Sequence, residues 1–288
     1  MLTILITLLV LFFAGPLGAF PPQPFASQTF PQEYGVDMDE YRSLFHDPSS
    51  FRHHNQFALL SVPKSGTYLA LKLLDMMLGN VPGWIFFDGS NGSSLIPVAH
   101  FGDDELIKKT YENKNLPILL LYRDPRDIAV SAVHYFKEWP FGNVHSRSTP
   151  AEFQRETLWQ QGTFDEKLAM LIGHPDGFIK PSLERLLLFA QRANVYLCRF
   201  ENLVGPKGGG ALEKQKEEIH SIAAFLTIPL SPEQLNYLCA NLFGKSATFR
   251  EGKIGSWKAA FKEEHKKLFK EVMGEHLIQL GYESNDQW

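Results

Sequence analysis

Four short apolar runs constrain this chain most: Phe57–Val62 (FALLSV), Leu95–Ala99 (LIPVA), Pro117–Tyr122 (PILLLY) and Val195–Arg199 (VYLCR). Their apolar residues fall at successive positions rather than alternate ones, so a strand built from any of them must be covered on both faces. Helical spacing fills the intervals. Thr67–Leu78 (TYLALKLLDMML) has it, with Gly79 placed as a C-cap, and so do stretches from about Arg126 through Lys137 and from about Ser182 to Arg192. Further helices are expected at Leu212–Leu226, Pro232–Leu242 and Trp257–Leu280, the last with Phe261, Leu268, Phe269, Val272, Met273, Leu277 and Leu280 on one stripe. Apolar strands alternating with helices predict an α/β domain with a central parallel sheet flanked by helices. Nothing repeats at a fixed period, and one domain over residues 51–288 is expected.

Composition removes several alternatives. With 44% apolar and 21% charged residues in 288, the chain is globular rather than disordered. Its 28 Lys and Arg against 32 Asp and Glu give a net charge of −4, so nucleic acid is not expected as a partner and any anion site must be local. Two cysteines, Cys198 and Cys239, exclude a disulfide scaffold or a Cys-rich zinc site. His53 and His54 are adjacent and diverge, with no further ligand pattern beside them, so no metal site is expected. Residues 1–19 (Leu2–Ala14 uncharged, then Gly15-Pro16) read as a signal peptide or short signal anchor, with a buried N-terminal helix as the remaining alternative. Residues 20–50 read as a Pro-rich N-terminal segment. Export or the secretory pathway is the localisation this implies, with a cytoplasmic protein as the alternative and membrane contact only through an uncleaved anchor.

Three segments carry chemistry. Between the first strand and its helix lies Pro63-Lys64-Ser65-Gly66-Thr67, a turn that brings backbone N–H groups, two hydroxyls and an ammonium to a helix N-terminus, where anions bind. Gly66 permits close approach of the main chain, and Lys64 precedes the glycine, unlike the lysine of a Walker A loop. Alone, the segment also fits a Ser/Thr N-cap beside a solvated lysine. The second segment, Leu121–Phe136 (LYRDPRDIAVSAVHYF), sets Arg123 at a strand end and Ser131 in the next helix, a fork and a hydroxyl suited to a phosphate monoester. An Arg123–Asp127 salt bridge at the helix start is the competing reading. The third, Phe249–Trp257 (FREGKIGSW), places Arg250 and Gly252 before the last helix. The Gly205–Gly210 run (GPKGGG) is expected to be a surface loop and nothing more.

In their order and spacing, residues 63–67 (PKSGT), 122–131 (YRDPRDIAVS) and 250–258 (REGKIGSWK) resemble the sulfotransferases that use 3′-phosphoadenosine 5′-phosphosulfate (PAPS), most closely the cytosolic type. The resemblance covers roughly residues 55–280 and implies a three-layer P-loop-like fold. It also implies that PAPS is the co-substrate, with no metal, and that a small-molecule or carbohydrate hydroxyl, or an amine, is the acceptor. By the same resemblance Lys64 contacts the bridging oxygen of the phosphosulfate and is catalytic. Ser65, Gly66 and Thr67 hold the 5′-phosphate, with Tyr68 following. Arg123 and Ser131 hold the 3′-phosphate, joined by Arg250 and the backbone at Gly252. The family's catalytic histidine precedes the middle arginine by a little over twenty residues, and His100 lies 23 before Arg123. His100 is thereby implied as the base that takes the acceptor proton; an imidazole with a pKa near about 6.5 is suited to that at neutral pH. The acidic neighbours Asp103, Asp104 and Glu105 are the competing bases.

Four positions depart from the family pattern: Val98 replaces a lysine, Leu69 a tryptophan, Phe200 a tyrosine and Glu251 a basic residue. Two other readings therefore stand beside an active enzyme, namely an exported protein that binds PAPS or 3′-phosphoadenosine 5′-phosphate (PAP) with little catalysis, and a P-loop kinase-like phosphoryl transferase. Two aromatic groups, Trp84, Phe86 and Phe87, and Tyr135, Phe136, Trp139 and Phe141, are candidates for an acceptor pocket as well as for core.

Overall fold

The computed structural model describes residues 37–45, 57–78, 84–86, 96–100, 116–136, 150–174, 177–244 and 250–288; for residues 84–86, 96–100 and 150–155 it describes the backbone alone. The expected signal segment, His53-His54, Asp103, Asp104, Glu105, Phe87, Trp139 and Phe141 lie outside the described residues, as do the side chains of Trp84, Phe86 and His100.

Five parallel strands form one sheet in the order β2-β3-β1-β4-β5, with β1 Ala58–Ser61, β2 Trp84–Phe86, β3 Ile96–His100, β4 Ile118–Tyr122 and β5 Val195–Arg199. The central strands β1 and β4 are buried on both sides, as their continuous apolar sequences require. Side-chain alternation divides the core in two. On one face Leu59, Leu119, Leu121 and Cys198 pack with α2 (Thr67–Leu78), α8 (Leu212–Phe225) and α9 (Pro232–Asn241). On the other Ala58, Leu60, Ile118 and Leu120 pack with α3 (Pro125–Tyr135), α5 (Phe164–Gly173), α6 (Ile179–Ala190) and α11 (Glu263–Gln279). The three-layer α/β architecture expected from the sequence is the one observed.

The chain leaves β1 towards β2 and β3 on one side and later fills β4 and β5 on the other. The carboxyl end of β1 is thus the switch point where open parallel sheets bind ligands. The phosphate-loop candidate follows β1, Arg123 follows β4, and His100 ends β3 in register with Ser61.

Several local outcomes differ from expectation. The segment 257–280 is two helices, α10 (Trp257–Ala260) and α11, because Phe261 and Lys262 are extended and the Lys262 N–H donates to His265 Nδ1 at 3.1 Å, starting a new helix. Strand β2 and the helices α4 (Pro150–Gln161) and α5 are additional elements. Within the N-terminal segment, α1 (Met38–Leu44) is seated on the domain, since Tyr41 is buried with its hydroxyl donating to the Met76 carbonyl at 3.0 Å. Among the described residues no helix is long and apolar enough to cross a membrane.

Candidate functional site

The loop after β1 is built for a close main-chain approach. The Ser65 N–H donates to the Val62 carbonyl at 3.1 Å and the Ser65 hydroxyl to the Leu121 carbonyl at 3.3 Å, which ties the loop to β4. The Thr67 and Ser61 hydroxyls share a hydrogen bond of 2.9 Å. Lys64 and Gly66 have φ of +67° and +100°. For lysine that conformation costs on the order of 1–2 kcal/mol, strain of a kind that collects at binding sites. Gly66 has no alternative, because a Cβ there would stand 2.7 Å from the Phe200 ring. Helix α2 begins at Thr67; its Leu69 and Ala70 N–H groups donate to the Gly66 carbonyl at 2.8 and 3.2 Å, and the Thr67 and Tyr68 amides, at the loop's end, precede these first helical hydrogen bonds. Tyr68, in that turn, is half-buried, and burial with Tyr135 nearby raises its phenol pKa.

Arg123 is buried at the end of β4. Its Nη2 donates to the Lys253 carbonyl at 2.6 Å and lies 3.4 Å from Asp127 Oδ2, while its guanidinium lies 4.4 Å from the Phe200 ring centre. The Nε–H of Arg123 is buried and has no hydrogen-bond partner among the described residues. Helix α3 starts beyond it with Asp124 as N-cap, accepting from the Arg126 N–H at 2.9 Å, and Pro125 at the first position. Glu201 Oε1 accepts the Asp124 N–H at 2.9 Å and fixes the strand-to-helix corner. Ser131, half-buried, stands one helical turn before Tyr135 on the same face of α3.

The third segment is held by Asp127. Its carboxylate accepts the Gly255 N–H at 2.8 Å and the Trp257 N–H at 3.0 Å, so the Arg123–Asp127 pair foreseen as a helix-start salt bridge is one arm of a larger clamp. The loop from Arg250 to Ser256 is supported from below by residues 205–210. The Ile254 N–H donates to the Gly208 carbonyl at 2.9 Å, and a Cβ at Gly208 would meet the Gly252 carbonyl oxygen at 2.5 Å. The glycine run expected to be only a surface loop is therefore a packed support, with Gly208 buried, because only residues without side chains allow the two loops this close. Replacing Asp127 with alanine leaves two amides and a buried guanidinium without their acceptor. A loss of about 3 kcal/mol is expected by urea denaturation, with asparagine, which keeps one acceptor oxygen, losing less.

These segments meet at Lys64. Its pKa is pulled down to about 8, first by burial and then by the positive charges of Arg123 and Arg250, and its Nζ lies 3.3 Å from the Tyr135 ring centre. Arg250 pairs with Glu251 at 3.0 Å, so the acidic residue that departs from the family pattern engages its own neighbour. Gly252 follows with φ +61°. Among the described residues, two carboxylates pair with the cations Lys64, Arg123 and Arg250: Asp127 with Arg123 and Glu251 with Arg250. The cluster therefore keeps a positive excess where burial strengthens its pull on an anion. Lys64, Arg123 and Arg250 are thus brought near one another, and Tyr68 is linked to them through Tyr135; the Ser65 and Thr67 hydroxyls turn to Leu121 and Ser61, Ser131 lies within α3 a turn before Tyr135, and the His100 backbone ends β3 in register with Ser61. Sequence reading missed the roles of Asp127, of Phe200 as the wall behind Gly66, and of Tyr135 as the platform beneath Lys64.

Comparison with known proteins shows the family and the fold. Residues 90–281 match the family model described as the sulfotransferase domain, and the chain belongs to that family. The match begins after the Lys64 loop. The chain is similar to mouse sulfotransferase 6B1, 23% identical over 171 residues, which are 59% of this chain and 54% of that protein, so the likeness spans about half the relative's length. Among solved structures it resembles mouse sulfotransferase SULT7A1 complexed with PAP, at TM-score 0.55 and 17% identity, covering 77% of this chain and 84% of that one. It also resembles retinol dehydratase in a complex with retinol and PAP, at TM-score 0.54 and 16% identity over 82% of this chain and 86% of that one. A second structure of retinol dehydratase, holding androsterone and PAP, aligns over 85% of each chain at TM-score 0.54 and 16% identity.

Proposed function

We propose that this protein transfers the sulfuryl group of PAPS to a hydroxyl or amine acceptor. The observation that carries the reading is the convergence of Lys64, Arg123 and Arg250, drawn from three distant segments, at a glycine loop on the switch point of the sheet. The residues fit a doubly phosphorylated nucleotide. Among the described residues Arg123 keeps a buried Nε–H without a partner and the cluster has a positive excess, and Gly66 leaves no bulk at the loop. Lys64, Ser65, Gly66 and Thr67, with Tyr68 next, would hold the 5′ side, and Arg123, Ser131, Arg250 and the Gly252 backbone the 3′-phosphate.

PAPS supplies a sulfuryl group joined to a phosphate that leaves as its oxygen takes up the bond electrons. His100 takes the acceptor's proton as the acceptor's oxygen or nitrogen bonds to sulfur and the bond from sulfur to the phosphate oxygen breaks. The Lys64 ammonium stabilises the charge that develops on the departing oxygen, an interaction stronger in the transition state than before it. The solved neighbour that binds retinol and androsterone supports an acceptor with an apolar body, and Tyr135, 42% exposed beside Lys64, offers a ring for it to touch.

Labelled sulfate from PAPS, offered to a panel of phenols, aliphatic alcohols, amines and sugars, tests the reading. Transfer to at least one class is expected. Absence of transfer together with tighter calorimetric binding of ATP and Mg²⁺ than of PAP would overturn it in favour of phosphoryl transfer.

A further inference from the structure

Away from the Lys64 cluster, the 205–210 loop, α8 and α9 border an open pocket of about 360 Å³, within the range that holds small ligands. Its wall is mainly apolar, with Val204, Leu212 and Phe243 contributing, and two lysines, Lys207 and Lys216, line it. Among the described residues neither cation has a firm carboxylate partner. Lys207 Nζ donates to the Ala240 carbonyl at 3.3 Å, and Lys216 Nζ stands 3.7 Å from a Glu213 carboxylate that is 78% exposed. Apolar walls with two cations at their edge select an anion carried on an apolar body, the charge lying between the lysines and the body against the wall.

The cavity shares a wall with the support of the nucleotide site. Pro206 and Lys207 line it, and the next residue, Gly208, accepts the Ile254 N–H and leaves no room for a Cβ against Gly252. A shift of the loop at 206–207 is therefore passed to Gly252 and Ile254, and so to the segment that begins at Arg250.

We propose that this cavity is a second small-molecule site, for a monoanion with an apolar body, and that its occupancy is coupled to the nucleotide site. The coupling rests on the nucleotide reading above; binding in the cavity does not. The probe is 8-anilinonaphthalene-1-sulfonate, an aromatic monosulfonate that fluoresces when shielded from water, titrated into the full chain. Saturable binding is expected, weakened about tenfold or more by Lys207→Ala with Lys216→Ala, as the loss of charge-assisted contacts dictates. Ala240→Trp, at an exposed position of the wall, is expected to abolish it by filling the space, with melting temperature unchanged in both variants.

With PAP saturating, the probe's Kd is expected to shift by about threefold or more without displacement, and the probe is expected to shift the Kd of PAP by the same factor. A titration unaltered by the lysine and Ala240 variants, or complete displacement by PAP, would overturn the site. Equal probe affinity with and without PAP would overturn the coupling. PAP calorimetry without the probe judges the nucleotide reading separately, and lysine-dependent probe binding stands whatever that result.

Discussion

Lys64→Met is expected to lower the rate of sulfuryl transfer about 10²- to 10³-fold, the usual consequence of removing one preorganised donor from the place where charge develops. Methionine keeps the length and apolar contact of the stem and removes the ammonium alone. Burial, Arg123 and Arg250 disfavour that ammonium and hold its pKa at about 8 in the free protein. The folded-state pKa lies below the lysine's ordinary value. The cost of burying the charge is therefore present below about pH 8 and is relieved as pH rises from there towards the unfolded value. A bound anion reverses the balance and draws the proton back. Calorimetry of PAP binding at pH 8.5, in buffers of different ionisation enthalpy, is expected to show proton uptake in the wild type and less in Lys64→Met. Equal uptake in both would place the titrating group elsewhere.

His100→Ala is expected to cost about 10²- to 10⁴-fold in turnover while leaving PAP affinity within about twofold, since a general base acts on the acceptor and not on the nucleotide. Its position gives the reason. The register that sets His100 opposite Ser61 puts it at the carboxyl end of β3, next to the strand that feeds the Lys64 loop. Val98, two residues earlier, stands where the family pattern has a lysine, so the proposed base has a valine in place of that cationic neighbour. A turnover within twofold of wild type would remove His100 from the mechanism.

The strands were legible where burial on both faces dictated their composition. Phe57–Val62 became β1 with both boundaries one residue inside those read from the sequence, and Pro117–Tyr122 became β4 with its start one residue inside and its end unchanged. Strand β2, three residues long, is too short to show a pattern. The polar α4 sequence PAEFQRETLWQQ gives little periodicity, whereas the capping box of Thr163 and Glu166 before α5 was a readable signal.

At the site, the Arg123 and Lys64 segments announced themselves because anion binding needs particular side chains in particular order. The role of Asp127 did not. Its partners at Gly255 and Trp257 are backbone amides some 130 residues away, and an amide leaves no mark on a sequence. The same holds for Gly205–Gly210, where a glycine run that usually signals a solvated turn is here required by the 2.5 Å that a Gly208 Cβ would leave to Gly252.

The central claim is that Lys64 and Arg123 grip opposite ends of one nucleotide. Calorimetry of PAP against adenosine 5′-phosphate, which lacks only the 3′-phosphate, tests it on the wild type, Arg123→Ala and Lys64→Met. Deleting the ligand's 3′-phosphate is expected to weaken binding about tenfold or more in the wild type and in Lys64→Met, and by several-fold less in Arg123→Ala, where the phosphate has already lost one of its partners. An equal penalty in all three proteins would contradict the assignment of Arg123 to the 3′-phosphate and with it the placement of the nucleotide.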